Sequence, residues 1–230
     1  MMNKRSHLAL SFLTAFLLIS GFLFLRTLRE YNKGVEIYED LQQEVQLTES
    51  SGAFPDINLD VEKLLEENGD FCAWIYYEDG KLNHPIVQES YEEINKYLQT
   101  AFDGSMNSAG CLFLPFDATA DFTAYNTFIH GHNMRNGSMF GSLKKLYREP
   151  EANEYPYFFI WTKDHERIMY HVLAIYVTDE NSAMTTTAMN ESDAICDSAN
   201  LVTLSTCYGA SGSEKRLLIQ GSEILRENWD

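Results

Sequence analysis

Residues 201–219 read LVTLSTCYGASGSEKRLLI, and the reading of this stretch decides how the chain is built. Two β-rich runs, Leu201 to Ser205 and Leu217 to Ile224, flank a loop of small, polar and glycine residues. β-Branched and aliphatic side chains suit a pleated, half-buried surface, and Gly209-Ala210-Ser211-Gly212 is turn-forming, so a hairpin is expected. Cys207 ends the first strand and Arg216, nine residues on, begins the second. In a hairpin those two strand ends lie side by side. A thiol at a strand end that opens a flexible loop is exposed on a rigid support, which is where a nucleophile is useful. An arginine beside it can donate to a carbonyl oxygen, and its charge favours a neighbouring anion. Spacing alone reads Arg216 equally well as a surface residue.

Working outward, the same period-two pattern recurs. Phe71 to Tyr77 and Leu82 to Val87 flank Asp79-Gly80, the strongest short hairpin signal. Gly110 to Leu114, Asn126 to His130, Tyr157 to Trp161 and Ile168 to Val177 complete a set of about eight short strands. A capping-box start at Ser90 predicts a short helix through Leu98, and Met139 to Tyr147 predicts another, stopped before Pro150. With no internal repeat and no long βαβ alternation, this is a mainly β fold with short helices, a closed or nearly closed β-barrel.

Residues 70–230 are read as that barrel domain, and two other segments precede it. Leu8 to Leu25 holds eighteen residues without a charge, which just reaches membrane-spanning length. A cleaved signal peptide is the alternative. The length of the apolar run and Arg26 directly after it favour an uncleaved anchor over residues 1–30. Lys4 and Arg5 favour a cytoplasmic amino terminus, with the domain outside the cell membrane on a single pass. Residues 31–69 are read as a two-helix extension. Val35, Tyr38, Leu41 and Val45 stripe the first helix, which is expected to run to Glu49. Leu59, Leu64 and Leu65 mark the second, with Gly69 as its expected cap.

Charge excludes some partners. The chain has 230 residues and a net charge of -17. Lys4, Arg5, Arg26 and Arg29 sit in the first thirty residues with only Glu30 as an acid. The remainder therefore holds 13 basic and 33 acidic residues, net -20, which is no surface for nucleic acid. Four cysteines are too sparse for a disulfide scaffold. Cys72 and Cys111 sit in apolar strands as inert thiols, and Cys196 sits in a short polar helix with nothing to activate it. Cys207 needs a base, and His130-Gly131-His132 ends another strand at a comparable strand-to-loop position. A metal pair at His130 and His132 lacks further ligands at normal spacing, and no EF-hand-like spacing is present. No metal or other cofactor is expected.

Thr203-Leu204-Ser205-Thr206-Cys207 resembles the TLxTC signature of sortases, the cysteine transpeptidases of Gram-positive cell surfaces. Asn126 to Met134, with Gly137-Ser138-Met139-Phe140 after it, resembles their histidine segment, most closely in class B. The order of anchor, helices, histidine, TLxTC and arginine matches as well. The resemblance spans about residues 71–224, and the preceding helices resemble the class B amino-terminal extension. It implies a sortase-type eight-stranded barrel in which Cys207 is the nucleophile, His132 the general acid/base and Arg216 the oxyanion support. Ser205 and Thr206 would line the substrate groove. His130 is a further substrate-contact position, standing where class B members often have tyrosine, and Tyr208 stands where an acid often follows the cysteine. The implied partners are secreted proteins with a carboxy-terminal sorting signal, cleaved after Thr, and an amine acceptor on peptidoglycan or pilin. The region from Val177 to Leu201, which helps select the motif in sortases, is shorter than the class B insert. A cysteine peptidase using water, and a non-catalytic scaffold on a membrane stalk, are the competing readings.

Overall fold

The computed structural model describes residues 4–48, 52–179, 200–210 and 212–229. Cys196 and most of the connection between Val177 and Leu201 lie outside the described residues. Helix α1 spans Lys4–Glu44, so the apolar segment and the first helix of the extension run as one rod with no break near residue 30. Phe12 to Glu30 is exposed throughout, whereas Tyr38, Leu41 and Val45 are buried against the body. Among the described residues one helix, Phe12–Glu44, is long and apolar enough to cross a membrane. The striped half behaves as periodicity demands: its apolar face packs on the domain. It stops five residues before the expected end. β1 (Gln46–Thr48) leaves the helix to pair with β2 (Asp56–Asn58), because an extended ribbon takes up the backbone groups there.

α2 (Val61–Glu67) begins at Asp60, whose carboxylate accepts from the Lys63 backbone N–H at 2.9 Å. Its cap at the other end is Asn68 in extended conformation, not Gly69 in a left-handed one. The Asn68 amide donates to Leu64 O and leads straight into the barrel, so a left-handed cap has no place there.

The barrel closes with eight strands, in the order β10 (Lys215–Asn228), β8 (Glu166–Asp179), β7 (Tyr157–Thr162), β3 (Phe71–Tyr77), β4 (Leu82–Gln88), β5 (Leu112–Leu114), β6 (Asn126–His130), β9 (Leu201–Cys207) and back to β10. Closure leaves no edge among these strands to be capped. Most pairs are antiparallel, but β4–β5 and β6–β9 are parallel, and these two bring the ends of β4, β6 and β9 to one region. Trp74, Tyr77, Phe158, Phe159, Trp161 and Tyr170 are buried to 1% exposure or less, on both faces of the β3–β7–β8 part of the sheet. Each aromatic side chain buries 150–250 Å², so this cluster dominates the core energetics.

The hairpin expected at Asp79-Gly80 forms between β3 and β4, with Lys81 as its left-handed residue at φ 53°. Gly80 serves by its size, since a Cβ there would sit 2.5 Å from the Tyr77 ring. Two local expectations are corrected. The helix from Ser90 to Leu98 is two single 3-10 turns, Tyr91–Glu93 and Lys96–Leu98, parted by left-handed Asn95. Ser90 makes no side-chain cap, so the capping box does not form. The helix expected from Met139 is shortened to α3 (Lys144–Arg148), because Met139 itself has φ 51° and the chain turns there before it winds.

Candidate active site

β9 continues two residues beyond its apolar run, so Cys207 is its last residue and the one exposed position in the strand. Arg216 is its direct cross-strand partner on β10. Directly opposed residues share a face, with Cβ atoms about 4.5–5.5 Å apart. Two bonds fix this corner. Asn133 Nδ2 donates to Cys207 O at 2.6 Å, and Tyr208 N donates to Lys215 O at 2.9 Å. Arg216 Nη1 donates to the carbonyls of Lys215 (3.2 Å) and Ser213 (3.4 Å), which holds the guanidinium on the loop beside the thiol.

His132 reaches the same corner from β6. Parallel pairing runs in register from Asn126↔Leu201 to His130↔Ser205, and the Gly131 amide continues it to Ser205 O. Two residues past the end of β6, His132 lines the same groove as Cys207. Thr206 Oγ1 donates to Gly131 O at 2.7 Å and locks the two chains together. Gly131 is obligatory here: a Cβ would lie 2.4 Å from Leu112 Cδ2 and 2.8 Å from Phe140 Cδ2. His132 Nε2 lies 2.7 Å from Leu98 O. A carbonyl only accepts, so this nitrogen carries hydrogen and Nδ1 is the one left for proton exchange.

Cys207, His132 and Arg216 line one groove with Ser205, Thr206 and His130, the full set singled out from the sequence. Its floor and walls are largely apolar: Ile94, Leu98, Phe113, Pro115, Phe116 and Phe128. His130 lies between two rings, its centroid 5.4 Å from Phe113 and 6.2 Å from Phe128. Burial, and then the Arg216 charge, pull its pKa down to about 4, so it presents a neutral, hydrogen-bonding imidazole at physiological pH. His130 and His132 therefore have separate engagements. Thr206 and Ser205 are buried, and the Thr206 hydroxyl is committed to the Gly131 carbonyl. Glu89 also lines the groove, and burial raises its pKa. A second depression opens from the same three residues on the other side, walled by Asn133, Arg135, Lys144, Gly209 and Glu214.

Sequence reasoning missed Leu98, Asn133, Phe113, Phe128 and Glu89. Asn133 and Phe128 stood in the quoted histidine segment. Leu98 acts through its main-chain carbonyl, which no residue type announces. Phe113 and Glu89 come together through the parallel β4–β5 pairing. Cys72 and Cys111 are buried, and burial pushes the Cys111 thiol up to about 12 and the Cys72 thiol further, so both stay protonated. An exposed thiol beside an oriented imidazole and a held guanidinium, over a long apolar groove, has the parts needed for acyl transfer to and from sulfur.

Comparison with known proteins agrees with this geometry. The family model for the sortase domain matches residues 78–224. Sortase B of Listeria monocytogenes is 26% identical over 223 residues, covering 84% of this chain and 89% of that one. The crystal structure of sortase B from Bacillus anthracis superposes with a TM-score of 0.65 at 22% identity, covering 86% of this chain and 99% of the other. A Streptococcus pyogenes class B sortase involved in pilus biogenesis superposes with a TM-score of 0.58 at 22% identity, covering 71% and 97%.

Proposed function

The chain belongs to the sortase family, most like class B, and from that premise we propose that Cys207, His132 and Arg216 carry its transpeptidase reaction. The observation that supports this most is the convergence of three strand ends. The Cys207–Arg216 cross-strand pair and His132, just past the end of β6, line one groove able to hold an extended peptide.

In this reading an extended sorting segment lies along the apolar groove with the carbonyl of its Thr over Cys207. The thiolate attacks that carbon, the Cys207 Sγ–C bond forms, and Arg216 donates to the oxyanion. His132 protonates the departing amine nitrogen from Nδ1, the C–N bond breaks, and a thioacyl enzyme remains. An incoming amine then gives up a proton to His132 as it attacks the thioester, a new amide forms and Cys207 leaves as thiolate. Nε2–H, anchored on Leu98 O, keeps the ring from turning between the two half-reactions. His130 contributes a neutral polar edge in a largely apolar groove, and the backbones of Ser205 and Thr206 form its near wall.

The acceptor is read as a peptidoglycan or pilin amine, and the substrate as a secreted protein with a carboxy-terminal sorting signal. Residues 1–30 are read as a single-pass anchor, 31–69 as a brace and 70–230 as the catalytic domain on the extracellular face. The test uses residues 31–230 with internally quenched peptides, an amine acceptor and mass identification of products. Cleavage after Thr with transfer to the amine, absent in Cys207→Ala, is the expected result. Cleavage giving only the free carboxylate would favour a peptidase. No cleavage, together with a Cys207 inert to iodoacetamide, would remove the catalytic reading.

A further inference from the structure

On the strength of the sortase reading above, we propose that the depression beyond Cys207 is the acceptor site, and that it selects an amine borne on a carboxylate-bearing molecule. The chain is acidic overall, net -17, yet three of its 13 lysines and arginines after residue 30, Arg135, Lys144 and Arg216, line the depression against the single carboxylate of Glu214.

The fold sets them there. Asn133, bonded to Cys207 O, pins the segment that carries Arg135 to the end of β9. On α3, Tyr147 packs edge-on against Tyr208 with centroids 5.3 Å apart. Lys144 lies three residues before Tyr147, on the same helix face, and so is presented beside the same loop. Neither the Arg135 nor the Lys144 side chain makes a hydrogen bond or ion pair among the described residues.

This surround acts on an acceptor in two ways. A carboxylate near the amine is attracted by Arg135 and Lys144, while a purely cationic amine is repelled. The same positive charge disfavours an ammonium group, so the bound amine is biased toward the neutral form that attacks. The sorting-motif groove opens from the same Cys207 with a largely apolar lining, so the two ligands meet at sulfur from differently lined depressions.

The test compares Nα-acetyl-lysine with its carboxamide, two acceptors with the same ε-amine that differ only in the carboxylate. The wild-type chain should use the acid about fivefold better in kcat/KM, the effect of two partly exposed charge pairs. That preference should fall below about twofold in Arg135→Gln/Lys144→Gln and persist in Lys145→Gln, which stands on the same helix but outside the depression. Because each ratio is taken within one enzyme, loss of fold or of thiol chemistry cannot imitate the effect. Equal use of both acceptors by the wild type, an unchanged ratio in the double variant, or peptide cleavage with transfer to neither would overturn the proposal. Absence of peptide cleavage altogether would instead strike the sortase reading on which it rests.

Discussion

Gly131→Ala is a one-methyl perturbation whose consequence can be worked from the coordinates. The new Cβ would sit 2.4 Å from Leu112 Cδ2 and 2.8 Å from Phe140 Cδ2, and both side chains are fully buried. Carbon atoms settle near 3.5–4.0 Å, so relief requires a shift of about 1 Å somewhere in this layer. Leu112 belongs to β5, and Phe140 is tied by its amide to His132 O at 3.0 Å. The easier movement is therefore of the 130–132 segment itself, which carries His132. Overpacking of this size costs about 1–3 kcal/mol, or roughly 2–12 °C in Tm for a chain of this length. Displacing a catalytic imidazole by about 1 Å costs on the order of 100-fold in rate. Thermal unfolding and peptide cleavage measured on the same preparation give both numbers. A Gly131→Ala variant with wild-type Tm and wild-type kcat/KM would refute the packing argument. Recovery of part of both losses in Gly131→Ala/Leu112→Ala would identify Leu112 as the clashing partner.

Three further outcomes are expected. His84 is 4% exposed, its Nδ1 has no hydrogen-bond partner, and burial lowers its pKa from 6.5 to about 4. The unfolded chain takes up this proton below about pH 6.5 while the folded one resists until about 4, so stability is full above that window and falls through it. The loss reaches about 2 kcal/mol by pH 5 and about 3 kcal/mol at the bottom, and urea melts of His84→Leu should show a shallower pH slope. Arg226, 18% exposed, pairs with Glu166 and Glu223 and donates to the carbonyls of Asp121 and Phe122, which anchors the loop ahead of β6. Arg226→Met should cost about 3–5 kcal/mol in denaturant unfolding, and a change below about 1 kcal/mol would show that the network is slack. Deleting residues 1–30 should leave a soluble, active domain released from membranes, whereas deleting 1–45 removes buried Tyr38, Leu41 and Val45 and should sharply lower Tm. Equal melting of the two truncations would show that the helix does not brace the barrel.

What the sequence disclosed, and what it withheld, follows from the range of the interactions involved. The Cys207–Arg216 juxtaposition was legible because a hairpin is local: two β runs and a glycine-containing loop determine it. The stripe of Tyr38, Leu41 and Val45 was legible because helical periodicity reports one buried face. The parallel pairings β4–β5 and β6–β9 were not, since no short pattern encodes which distant strands adjoin. Local signals also lost to tertiary demands. Ser90 begins a capping box, yet the chain must turn at Asn95 to bring the Leu98 carbonyl against His132, so two short turns replace a helix. Met139 looks helical but adopts positive φ where the segment folds back beneath His132, with Phe140 bonded to the His132 carbonyl. The functional consequence is general. The groups proposed to carry reactive chemistry were visible as residue types, while those that orient them act through main-chain atoms and became visible only in the fold.

The most direct test of the central claim is the intact mass of residues 31–230 after brief exposure to a cleavable sorting peptide, without an amine acceptor and with rapid acid quench. The expected product is an adduct equal to the peptide fragment ending in Thr, held as a thioester on Cys207, released by hydroxylamine and missing in Cys207→Ala. An enzyme that cleaves the peptide while the adduct sits on another residue, or forms equally in Cys207→Ala, would contradict it.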